Sequence, residues 1–151
     1  MPDTTVQGFL ADATQKAAAD LITALDLIPA DKRGWQPGEK SRSALNQLAE
    51  CAIINGATAD AITTRSAPTG DFMGSFFAML ETLARDEEGA RALLATNTAR
   101  LIDAIRATDS ADLDREIAMP WGVMTLQAVS AVPYWNLTYH QGQITYISTM
   151  I

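Results

Sequence analysis

A single histidine, His140, occurs in the 151 residues of this chain, so any imidazole chemistry must run through it. It lies in Tyr134-Trp135-Asn136-Leu137-Thr138-Tyr139-His140-Gln141-Gly142-Gln143-Ile144, which reads as part of the last helix. Residues four apart share a helical face, so Asn136 and His140 point the same way, with Gln143 a further turn along that stripe. A second residue stands out in Ser43 to Ala59, a nearly all-apolar stretch that carries one charge, Glu50. A buried carboxylate without a partner is expensive, roughly several kcal/mol even after relaxation. Glu50, Asn136 and His140 therefore form the candidate site.

Divalent metals in helical bundles are held by side chains from facing helices, often two ligands four apart on one helix and a third on another. In such a set His140 supplies a nitrogen, Glu50 charge and oxygen, and Asn136 a weaker neutral carbonyl. The bland alternative is equally open: a lone histidine hydrogen-bonded for structure, with Glu50 accepting from it or pairing with an arginine. Other candidates carry less. Cys51 has no second histidine to activate it and reads as a small core residue. Trp35 and Trp121 line a ligand pocket or anchor loops over the bundle ends. Phe72, Met73, Phe76, Phe77 and Met79 read as core or as a dimer face. The sequence holds neither a glycine-rich phosphate loop nor a Ser-His-Asp arrangement.

The elements that must position these residues follow from periodicity. Val6, Phe9, Leu10, Ala13, Ala17, Leu21, Ala24, Leu25 and Ile28 form one helical stripe, which predicts a first helix over roughly 3–28, stopped by Pro29 and the polar run to Gly38. Ser41 or Ser43 can cap a second helix through Ile62, apolar almost all round and hence central. Asp71 can cap a short connector helix through Leu83. A third major helix starts at Asp86, Glu87 and Glu88 and runs to about Ala107, with charges that suit its dipole. Residues 109–124 read as a loop with a short extended piece. Thr125 can cap a last helix to the C-terminus, in which Pro133 predicts a kink.

Four major helices without a strand pattern predict an all-α fold, a four-helix bundle with long loops and a short extra connector helix, in one domain over 1–151. Hydrophobic residues make up 48% and charged residues 19%, enough apolar surface for a self-sufficient core. The net charge of −7 and scattered basic residues argue against a nucleic-acid surface. One cysteine excludes an internal disulfide and multi-cysteine zinc motifs. With no signal-like start and no membrane-length apolar run, the expectation is a soluble, cytoplasmic protein that does not engage a membrane.

His140-Gln141-Gly142-Gln143-Ile144 looks like the terminal His-(Arg/Gln)-Gly-Gln-Ile signature of the bacterial DinB-like helical-bundle superfamily. Leu27-Ile28-Pro29 through Trp35-Gln36-Pro37, then Ser43 to Glu50, is similar to that family's entry into helix 2. Asp112-Leu113 through Met119-Pro120-Trp121-Gly122 resembles its stretch before the last helix. The likeness implies a DinB-like four-helix bundle, commonly a homodimer, with a divalent metal (nickel or zinc) on three histidines, one on helix 2 and two four apart on the last helix. This sequence departs at two of them: Glu50 and Asn136 stand at ligand positions, and only His140 matches. Two functions stay open. One is a weak His/Glu/Asn metal site in a hydrolase or thiol S-transferase acting on a small-molecule substrate, with Glu50 as base. The other is a metal-free bundle that binds a small ligand or partner and catalyses nothing.

Overall fold

Each of the five helices begins with a side chain that accepts a backbone N–H three residues on, satisfying one of the amides a helix start leaves unpaired. Thr5 opens α1 (Val6–Asp26), Ser43 opens α2 (Ala44–Thr64) and Asp71 opens α3 (Phe72–Leu83). Asp86 opens α4 (Glu87–Arg106) and Thr125 opens α5 (Leu126–Ser148). These elements come from a computed structural model, which describes residues 3–151.

The four long helices pack in a ring, α2 on α4, α4 on α1, α1 on α5 and α5 on α2. Consecutive helices α1 and α2 therefore lie across a diagonal, as do α4 and α5. Two apolar clusters stacked along the bundle give the helix directions. One joins the end of α1, the starts of α2 and α4 and the end of α5; the other joins the opposite ends. Neighbours α2 and α4 thus run parallel, which requires the chain to travel back along the bundle between them. That is the work of α3, which packs Leu80, Phe76 and Leu83 on Ala49 and Ile53 of α2. Only Leu80 of this helix is fully buried, and Met73, Phe77 and Met79 stay exposed.

The two diagonal links close the ends of the bundle. Between α1 and α2, a 3-10 turn at Ala30–Lys32 leads into the loop over one end. Arg33 pins that loop: Nε donates to the Ile28 carbonyl, Nη1 to Glu87 at the start of α4, and its own carbonyl accepts from Leu45 N–H. Between α4 and α5 lie a 3-10 turn at Ser110–Asp112 and a hairpin of β1 (Glu116–Met119) and β2 (Gly122–Thr125). Ile117 is buried in the second core cluster and holds this hairpin over the opposite end.

Two sequence expectations shift here. The first helix is shorter than 3–28, because Thr5 caps it and Leu27 and Ile28 close it with tightened bonds to Ala24 and Leu25. The extended piece in 109–124 is a paired hairpin, since Met119-Pro120-Trp121-Gly122 turns the chain back on itself and Gly122 adopts φ +137. Helix α5 runs through Pro133, whose missing N–H leaves the Val129 carbonyl without its usual donor. Among the described residues, no helix is long and apolar enough to cross a membrane.

Candidate functional site

The start of α2 and the end of α5 meet at the end of the bundle covered by the α1–α2 loop, and this brings Glu50 to His140. Glu50 Oε1 lies 3.0 Å from His140 Nε2. Nδ1, the other ring nitrogen, lies 3.1 Å from Gln47 Oε1 and 2.9 Å from Gln143 Oε1. In this arrangement Nε2–H donates to Glu50. Nδ1 donates as N–H to a glutamine oxygen or, in the neutral ring, accepts from a glutamine amide turned over. His140 is 2% exposed, and Tyr139 packs edge-on against its ring at 5.3 Å between centroids.

The carboxylate of Glu50 has a second partner. Arg42, just ahead of the α2 cap, places Nη2 2.5 Å from Glu50 Oε2 and is itself steadied by Nε donating to Asn46 Oδ1. Burial pushes the Glu50 carboxyl up, but the hydrogen bond from His140 and the charge of Arg42 outweigh it and hold the group below its ordinary value. Asn136 lies one turn back from His140 on α5 and is also buried. Its amide donates to Cys51 Sγ at 3.6 Å, beside Glu50, and it makes no hydrogen bond to Glu50 or His140. Cys51 is fully buried, and burial followed by the nearby Glu50 charge pushes its thiol far up, so it stays protonated and inert.

The structure thus joins Glu50 and His140 directly and sets Asn136 one residue away through Cys51. Two participants escaped the sequence reading. Gln47 sits three residues before Glu50, on the same face of α2, and that spacing is a usable signal. Arg42 lies in a loop, where no periodicity points it toward Glu50.

The set does not fit a tightly held zinc or nickel ion. Those ions favour several nitrogen or sulfur donors. Here one imidazole is hydrogen-bonded at both nitrogens, the carboxylate is already neutralised by a guanidinium, and the third candidate is a neutral amide. A dication on Glu50 would also sit beside the charge of Arg42. Among the described residues, no group of three or more His, Cys, Asp or Glu side chains is placed to share a metal.

A cleft of about 750 Å³ opens on the other side of His140. Its walls are the loop from Pro37 to Arg42, Gln47 of α2, a face of α5 from Tyr139 to Ile147, and Met150 just beyond that helix. Glu50 stands behind the imidazole and does not line it.

No protein-family model and no curated protein matches this sequence. Solved structures do share the fold. YfiT from Bacillus subtilis, described as a probable metal-dependent hydrolase with an unusual four-helix bundle topology, superposes with a TM-score of 0.80 at 14% identity, over 99% of this chain and 92% of that one. A mutant of mycothiol-dependent maleylpyruvate isomerase gives 0.78 at 14% identity over 94% of this chain, which spans only 63% of the isomerase. An uncharacterized protein from Clostridium difficile 630 also gives 0.78 at 14% identity, covering 96% of both chains. The shared fold is a four-helix bundle, here with the short α3 crossing back along it. At these identities the likeness carries the fold alone.

Proposed function

We propose that this DinB-like bundle receives a small organic molecule in the cleft beside His140 and works without a divalent metal between Glu50, Asn136 and His140. The observation that carries this reading is the Arg42–Glu50–His140 chain: the carboxylate has its counter-charge from the protein, and the imidazole has a protein partner at each nitrogen. In this reading Glu50 orients the ring, Gln47 and Gln143 hold its other edge, and the cleft receives the ligand. A cytoplasmic setting, suited to the free thiol of Cys51, belongs to the same proposal.

One observation favours a second reading, a metal-dependent hydrolase or thiol S-transferase. Glu50 and His140 project from facing helices to within 3.0 Å of each other, the arrangement from which bundle metal sites are built. Elemental analysis of untagged protein, followed by titration with zinc and nickel against a competing chelator, separates the two. The expected result is far less than one metal per chain and weak uptake. The double variant Glu50→His with Asn136→His should gain affinity by several orders of magnitude, and adding His140→Ala should abolish the gain. Tight, stoichiometric metal in the unmodified protein would overturn the metal-free reading.

A further inference from the structure

The charge of the His140 cleft is opposite to that of the molecule. The chain carries a net −7, yet the charged side chains lining this cleft are Lys40 and Arg42, with no acid among them. A second cleft of similar size, about 730 Å³, lies against α1 and is lined by Asp3, Asp12 and Asp20 with one cation, Lys16. The charged linings of the two depressions are therefore opposite in sign, even though Arg42 shares its charge with Glu50 behind the first.

The donors on the His140 side are also available. Lys40 makes no ion pair among the described residues, and neither does Arg42 Nη1, because the contacts of Arg42 run through Nε and Nη2. Across from them Tyr146, Ile147 and Met150 supply an apolar wall. Tyr139 adds a ring stacked on Trp135 at 5.5 Å. Cations at one edge and aromatic and aliphatic surface at the other match a molecule with an anionic head and an apolar body.

We propose that the cleft selects small organic anions, carboxylates with an aryl or alkyl body, and that Arg42 is the residue that selects them, sharing its guanidinium between Glu50 and the ligand. A guanidinium offers a flat fork to a carboxylate, and its charge-assisted hydrogen bonds are about twice as strong as neutral ones. Cations lining a concave, partly apolar wall also focus the field on an incoming anion. Lys40 at the rim adds attraction, and Glu50 keeps Arg42 aimed between binding events. The inference rests on the ligand-binding reading above but can fail separately from it.

The test compares three probes of one shape, phenylbutanoate, phenylbutanol and phenylbutylamine, followed by amide and aromatic NMR shifts. The expected result is saturable perturbation of Tyr139, His140 and Tyr146 by the acid, about tenfold tighter than by the alcohol, with the amine weakest. Arg42→Gln should bring acid and alcohol to within about twofold, whereas Arg42→Lys should keep most of the preference. If Arg42→Gln fails to fold, Lys40→Gln at the rim should still reduce the preference about twofold to threefold. Equal binding of acid and alcohol in the cleft would overturn the anion assignment while leaving the ligand pocket standing, and so would tightest binding of the amine. Perturbation confined to Phe9 and Tyr134 of the other cleft, or no perturbation by any probe at millimolar concentration, would overturn both.

Discussion

Glu50 is a half-buried carboxylate between a guanidinium and an imidazole, and its energetics set the residue scale. Because its folded-state pKa is lowered, the group contributes stability that is fully present above its unfolded value and is lost as pH falls through the folded one. Arg42 is more than one-third exposed, so solvent screens its side of the pair and the contribution should be modest, about 1 kcal/mol. Glu50→Gln is therefore expected to lower unfolding stability by about 1 kcal/mol at neutral pH, with the difference shrinking toward zero below the ordinary carboxylate range. Urea melts of both proteins across the acid range would check it. A difference that persists at the acid end would mean that shape, and not charge, is what Glu50 contributes.

At the scale of elements, the most extensive helix pairing in the bundle is that of α2 with α4. Gly56 lies directly against an α4 side chain: a Cβ there would stand 2.5 Å from Asn97 Nδ2. Asn97 cannot easily yield, because Nδ2 donates to the Ala52 carbonyl at 2.9 Å while Oδ1 accepts from Arg100. Alanine improves helix propensity by about 1 kcal/mol over glycine, whereas overpacking costs about 1–3 kcal/mol and the displaced amide adds to it. Gly56→Ala should therefore destabilise on balance, by about 1–2 kcal/mol. Combining it with Asn97→Ala should recover part of the loss, a coupling that a double-mutant cycle in denaturant would reveal. Simple additivity would show that the helices relax apart freely. The same element explains why α3 exists, since two parallel neighbours can be joined only by a segment that runs back between their ends.

For the molecule as a whole, the exposed surface raises the question of assembly. Met73, Phe77 and Met79 on α3 are each about half exposed or more, on a helix that buries only Leu80 fully. We propose that the flank of α3 carrying Met73 and Phe77, one turn apart, pairs with a second copy in a two-fold dimer. Light scattering at micromolar concentration should return the mass of two chains, and Phe77→Glu should reduce it to one. A one-chain mass for the unmodified protein would overturn the pairing.

The sequence by itself determined which segments are helices and where three of them start, and narrowed the start of α2 to Ser41 or Ser43, because caps and apolar periodicity are local. Ser43, Asp71, Asp86 and Thr125 act within three residues of themselves, so no partner element is needed to read them. It also singled out His140, by being the only histidine, and Glu50, by being a lone charge in an apolar helix. What the tertiary structure decided is what those two residues touch. Arg42 reaches Glu50 from a loop whose path is fixed by Arg33, the Ile28 carbonyl and Glu87, contacts that span as many as 54 positions and leave no periodic trace. Likewise, the diagonal placement of α1 and α2 and the opposite charges of the two clefts arise only when distant segments pack. A carboxylate shows its charge in the sequence, but its counter-ion is chosen by the fold, and here the fold gives the candidate ligand Glu50 an arginine as partner.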